Sequence, residues 1–432
     1  MKMKVYGSLG RTRCGEEDDK DVDSGWAWIV LFASFMANGI ILGSSFAFSV
    51  FYAEWIECFH KGPTATSLLI SISCALILGT SAPATILANR FGARRIIMLG
   101  GLLSATGFAA SAVVPSFEWL YVTYGLMAGL GNGLALIPSF GVLSLYFRER
   151  RNFATSVVTV GTGVGIMIFS LLFEYLIASY TWRGAMLITA GILLNVIPCG
   201  AVMSKRLPHF QNSGLSQYAE FSLFKEPSFC ASMIHFLLMG SHFVFVVFCL
   251  QYALVTFRIP KEQGAWVVTV MGATNIGGRV FVAVLSISHK FATANRRFVL
   301  LHFSSLCVAV ATFCYSLCET FVMACVVSGL LGLSWGTKFA LMPGIQMDIS
   351  TAKRFNAAWG YLTLVSGISY FALPPLAGEI MKMTGNFASV FYFAGLMSLA
   401  AFFVCPILHG LWWSKRSVDT GEKKSLLDLE IR

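Results

Sequence analysis

Tyr146-Phe147-Arg148-Glu149-Arg150-Arg151 stands between two long apolar segments, and Gly161-Thr162-Gly163-Val164-Gly165 follows it. Basic side chains cannot sit in lipid, so the cluster marks a loop on the cytoplasmic side of a membrane. The glycines remove side chains from one face of the next helix, which lets a neighbouring backbone pack close. In a chain this apolar, the combination points to a polytopic transporter with sliding helices. It predicts a cytoplasmic gate between the fourth and fifth spans, built from Arg148, Arg150, Arg151, Gly161 and Gly165.

Composition agrees with a lipid setting. Hydrophobic residues make up 56% of the 432 residues and charged ones 12%, where soluble domains carry about 25% charged. No soluble core of this length absorbs so much apolar surface, so lipid is the solvent for much of it. The formal charge of +10 does not imply nucleic acid, because the basic residues lie in short loops between apolar spans. The eleven cysteines show no CxxC spacing and fall mostly inside apolar segments. They read as small buried hydrophobes, with neither a disulfide frame nor a metal site, and no cofactor is expected. The first 25 residues are polar, with an acidic run from Glu16 to Asp23, so no cleavable signal peptide is apparent.

A crossing needs roughly 20 apolar residues. Twelve segments qualify: 26–52, 64–88, 95–114, 119–146, 153–178, 183–203, 227–255, 264–286, 297–317, 320–343, 355–379 and 386–413. The chain is therefore expected to be an all-α membrane protein. A tail (1–25) leads into a six-helix half (26–203), a linker (204–226), a second six-helix half (227–413) and a tail (414–432). With both tails and the even-to-odd loops on one side, that side holds 24 Lys and Arg, the other side 5, and 2 lie within spans. The asymmetry places both termini in the cytoplasm.

Two six-helix halves resemble the major facilitator architecture. Asn89-Arg90-Phe91-Gly92-Ala93-Arg94-Arg95 is similar to that superfamily's loop between helices 2 and 3, with Asn89 where an Asp is usual. Two longer motifs narrow the resemblance to the monocarboxylate transporter family, the chain being an atypical member. Asp23-Ser24-Gly25-Trp26-Ala27-Trp28 resembles the signature that opens helix 1, departing at Ser24. Tyr146 to Gly165 resembles the second signature, departing at Glu149, Phe153 and Ser156. Tyr180-Thr181-Trp182-Arg183-Gly184-Ala185 and Pro374-Pro375-Leu376-Ala377-Gly378 also look familial. The resemblance implies that Asp23, Trp26 and the Arg148-to-Gly165 segment couple conformational change. It further implies a plasma-membrane carrier, and an accessory partner with a single span and an immunoglobulin-type domain. The physical reading stands beside it: Trp26 and Trp28 sit where interfacial anchors sit, and Asp23 suits a helix start.

Ionisable groups deep in a span are costly and are functional candidates. Arg279 lies well inside span 8 and offers a planar fork that matches a carboxylate. The resemblance implies a substrate-site arginine there, usually preceded one turn earlier by an Asp; this chain has Asn275. The family's proton-coupled lactate carriers have a helix-1 lysine that aligns with Phe46. Lys338 in span 10 lies at a depth similar to Arg279. Arg279, Lys338, Asn275 and Phe46 are the expected substrate-site positions. His235 and His242, seven residues apart on one helical face, are candidates for proton coupling. Glu174 and Glu379 read as rim groups.

The expected function is alternating-access transport of a monocarboxylate or related small organic anion or zwitterion, by facilitated diffusion or exchange. A proton-coupled symporter and a non-transporting nutrient sensor of the same fold are the alternatives. No HExxH or GxSxG motif suggests an enzyme, and no repeated filter segment suggests a channel.

Overall fold

A backbone in lipid has no water to bond, so each crossing must satisfy its own hydrogen bonds. The computed structural model describes residues 25–147, 151–203, 220–287 and 293–430, and among these every regular element is a helix. Asp23, Arg148 and Arg150 lie outside the described residues, and Arg151 is described only as the start of a helix.

Ten helical stretches among the described residues are long and apolar enough to cross a membrane, and the bent pair Pro63–Gly79 and Pro83–Phe91 makes eleven. One of the ten, Ala154–Val202, runs for 49 residues. At 1.5 Å per residue that is about 74 Å, against a hydrocarbon core of about 30 Å. It breaks at Thr181, whose φ of 63° and ψ of 169° belong to no helix. It therefore supplies two crossings, and the twelve expected from the sequence are present.

In chain order, α1 is Gly25–Phe46 continued by Ser49–Phe59, and α2 is Pro63–Gly79 continued by Ser81–Phe91. α3 is Ala93–Ala112. α4 starts at Phe117–Leu120, winds through a π-helical stretch at Tyr121–Ala128 and ends as Gly129–Tyr146. The run Arg151–Leu193 gives α5 before Thr181 and α6 after it, completed by Val196–Val202. α7 is Pro227–Leu238 continued by Ser241–Phe257, α8 is Lys261–Ile287 and α9 is Ala294–Tyr315. Phe321–Thr384 is helical throughout, but its apolar stretches are separate: Phe321–Ser350 is α10 and Ala357–Thr384 is α11. α12 is Ala388–Glu430, of which Ala388–Ser414 is apolar.

Lipid tails are as apolar as leucine, so close packing of small residues must join the crossings. The glycines of α5 do this on two faces. A Cβ placed on Gly161 would stand 2.7 Å from the Phe35 carbonyl oxygen of α1, and one on Gly165 would stand 2.8 Å from Gly43 Cα. A Cβ on Gly163 would stand 2.7 Å from Ile276 of α8. The glycine face expected between α4 and α5 thus meets α1, while Arg148 and Arg150 of the expected gate lie outside the described residues. Gly161 and Gly165 seat α5 on α1, because Gly39 and Gly43 present the matching bare face.

Buried hydroxyl pairs add directionality between the two halves. Ser170 of α5 meets Thr269 of α8 at 2.7 Å, and Ser81 of α2 meets Thr363 of α11 at 2.9 Å. At the face opposite the chain ends, Lys261 at the start of α8 binds Glu54 and Glu57 of α1, each at 2.7 Å. Thr64 of α2 donates to Glu379 of α11 at 3.0 Å. These bonds close that face. They also account for α1 continuing to Phe59, past the expected end at 52: its last turns carry the acids that Lys261 needs.

Candidate functional site

The Gly277-Gly278 step lets α10 close on α8: a Cβ on Gly278 would stand 2.7 Å from the Thr337 nitrogen. The next residue on each helix is a cation, Arg279 and Lys338. They are only 6% and 2% exposed. Arg279 Nε donates to Asn275 Oδ1 at 2.8 Å, and Asn275 Nδ2 donates to the Gly332 carbonyl of α10 at 3.4 Å. The guanidinium carbon lies 5.8 Å from the Phe339 ring centroid, within cation–π range. Among the described residues, no carboxylate pairs with Arg279 or Lys338. An uncompensated buried charge costs several kcal/mol, and an anion beside these two cations would offset that cost. Asn275 orients the fork of Arg279 without neutralising it.

Phe46 ends the first piece of α1 and reaches across to the second half. Its ring meets Trp335 of α10 edge-on at 5.1 Å and Phe243 of α7 at 6.1 Å. Both helices are interrupted at this level, α1 after Phe46 and α7 between Leu238 and Ser241. Interrupted helices are a recurrent way for membrane transporters to build a substrate site.

The α7 interruption also separates the two histidines expected on one face. His235 turns to α12, with Nδ1 3.1 Å from the Ala401 carbonyl oxygen and 3.4 Å from Cys405 Sγ. His242 turns to the centre, with Nε2 3.3 Å from the Tyr370 hydroxyl. The break at Met239-Gly240, with Gly240 packed against Ser369, sets them in different surroundings. Only His242 stands with Phe46 and Trp335.

Trp26 and Trp28 are exposed on α1, as anchors are, and Trp28 meets Phe147 edge-on at 5.8 Å. The two resembling motifs therefore touch. Glu174 is buried in α5, while Glu379 pairs with Thr64 and Lys382 at the closed face. Sequence reasoning missed the rings of Phe243, Trp335, Phe339 and Tyr370, and the Lys261 ion pairs. One signal was available: Trp335 and Phe339 flank Lys338 at helical spacing and share a face.

The Major Facilitator Superfamily profile matches residues 27–342. Monocarboxylate transporter 14 of Homo sapiens is 26% identical, over 87% of this chain and 89% of its own. Monocarboxylate transporter 4 of Rattus norvegicus is 29% identical, over 87% of this chain and 81% of its own. These relatives bear out the family resemblance read from the motifs. A structure described as giving insight into substrate recognition in proton-dependent oligopeptide transporters superposes with a TM-score of 0.67 at 14% identity, covering 88% of this chain and 98% of the other. A bacterial homologue of the human lysosomal transporter Spinster, inward-facing and unoccupied, superposes with a TM-score of 0.66 at 14% identity, covering 90% and 96%. At that identity the two structures speak for the fold alone.

Proposed function

The chain belongs to the major facilitator superfamily, and on that premise we propose which solute it moves and how. It is an integral membrane protein and a secondary transporter, not an enzyme. Its solute is a monocarboxylate or a closely related small organic acid. One observation carries this: Arg279 is buried, held in position by Asn275, and free of any carboxylate partner among the described residues. A guanidinium whose outer nitrogens hold no carboxylate among the described residues keeps the bidentate fork that recognises one. Lys338, buried on the neighbouring helix, adds a second positive charge.

Transport runs by facilitated diffusion or exchange. Asn275 replaces the acid that would take up a proton beside Arg279, and Phe46 replaces a helix-1 cation. The two halves, 26–203 and 227–413, alternate about the site, with both termini in the cytoplasm as the Lys and Arg count supports. In that orientation the Lys261 ion pairs close the outer face. The plasma membrane and a single-span accessory partner follow from the family resemblance and belong to the same proposal.

Uptake into proteoliposomes tests this. A panel of labelled organic acids is offered with and without an imposed pH difference. Net flux should follow the substrate gradient and respond little to pH. Arg279→Ala, folded and inserted, should lose uptake; normal uptake by that variant would sink the carboxylate assignment. Uphill accumulation driven by a proton gradient alone, and abolished by an ionophore, would replace exchange with symport. Absence of flux for every acid in the panel would favour a sensor of the same fold.

A further inference from the structure

Six rings crowd the place where α1 and α7 are interrupted. Phe243 stacks on Tyr370 at 4.5 Å with the planes 4° apart. His242 lies 5.3 Å from Trp335 and 5.9 Å from Phe339. Phe46 is the contribution of the first half, edge-on to Trp335. We infer that this aromatic box, set beside Arg279 and Lys338, selects a carboxylate that carries an aromatic ring over one that carries only a short alkyl chain. The inference rests on the carboxylate reading above and deepens it.

Aromatic clusters also occur as plain core, and three observations separate this one. First, it spans the two halves, Phe46 coming from the first and the other five rings from the second. Second, the Trp335 indole nitrogen is buried and has no acceptor among the described residues. A buried donor without a partner is a standing cost, which a ligand acceptor would relieve. Third, the box is continuous with the cations: Phe339 lies under Arg279, and Trp335 is one helical turn from Lys338. A two- or three-carbon acid would satisfy the cations and make no contact with the rings. An aryl acid places its carboxylate on Arg279 and, where Phe46 moves away with the first half, its ring against Trp335 and Phe243. There it gains edge-to-face contacts of the kind these rings already make with one another.

The matched pair L-lactate and L-3-phenyllactate isolates the ring, because the two share the same hydroxy-acid head. Counterflow with the full chain in proteoliposomes should give phenyllactate at least about a tenfold advantage in kcat/KM, from apolar burial and ring contact together. Trp335→Leu should bring the ratio of the two acids down toward one. Phe46→Leu, which changes the other half, should do the same, and serves where the tryptophan variant does not fold. Equal kcat/KM values for the two acids, or a preference for lactate, would overturn the inference and leave the carboxylate reading standing. A ratio unchanged in both folded variants would also overturn it. Transport of neither acid would remove the carboxylate reading, and the inference with it.

Discussion

One added methyl group at Gly165 tests how closely α1 and α5 approach. The Cβ of Gly165→Ala would stand 2.8 Å from Gly43 Cα and 2.9 Å from the Gly39 carbonyl carbon, and closer still to the Gly39 oxygen. These are backbone atoms and cannot rotate away. Carbon atoms prefer separations of about 3.5–4.0 Å, so the helices must move apart by about 1 Å. The neighbouring Gly39–Gly161 contact would loosen with them. Overpacking of this kind costs about 1–3 kcal/mol. Gly191 of α6 is the control, since nothing lies within 4 Å of its added Cβ. It lines a shallow groove of about 320 Å³ with Ala105, Leu187 and Leu194. There Gly→Ala only removes backbone freedom, a gain of about 0.5–1 kcal/mol. The two substitutions are therefore opposite in sign. Thermal unfolding of the purified protein in detergent should show Gly165→Ala below the parent and Gly191→Ala at or above it. Counterflow per folded molecule should fall for Gly165→Ala alone. A Gly165→Ala protein with parental stability and turnover would refute the close approach, and with it the account of how α5 is seated.

Other substitutions probe the charges. Arg279→Lys keeps the charge and loses the fork, so uptake should drop by about tenfold or more, a loss of about 1.4 kcal/mol in transition-state binding; parental uptake would show that charge alone suffices. Asn275→Asp would put an acid where Asn275 Oδ1 now accepts from Arg279 at 2.8 Å. Flux should fall at neutral pH and recover on acidification, as protonation frees the guanidinium, and a flat pH profile would refute that competition. Lys261→Glu should weaken closure of the face opposite the chain ends, shifting the conformational balance up to about fivefold for a partly exposed pair worth ~0.2–1 kcal/mol. The charge swap with Glu54→Lys should restore transport, and failure of that rescue would deny the latch. Asp348→Asn would leave Arg297 with a neutral partner in place of the carboxylate it holds at 2.6 Å and 2.8 Å. It should cost about 1–3 kcal/mol in thermal unfolding, and no measurable loss would mean the pair is solvent-screened.

The crossings were legible because lipid imposes one length and one backbone solution on every span, and a run of apolar residues announces both. The partner of each crossing was not legible. The bare faces of Gly161 and Gly165 said that some backbone comes close, but only the matching Gly39 and Gly43, more than a hundred positions away, settle that it is α1. The shared face of His235 and His242 was misread for a local reason: a seven-residue spacing implies one face only where the helix is unbroken, and α7 is broken at Met239-Gly240. The ring set was hidden by abundance, since 37 phenylalanines give no reason to single out any one. The two departures from the family pattern, Asn275 and Phe46, looked like separate losses in the sequence. In the structure they belong to one site. Phe46 packs on Trp335, whose neighbour Gly336 lies so close to Asn275 that an added Cβ would stand 3.1 Å from the Asn275 Cα. The resemblance implies an acid at Asn275 and a base at Phe46, two charges that would cancel, so the formal charge of the pair of positions is the same without them. Between the two cations and the other half of the protein this chain holds an amide that orients Arg279 and a ring that faces Trp335. On the proposed reading, proton chemistry has no group at these two positions, so selectivity for the solute is the property in which an amide and a ring there should register.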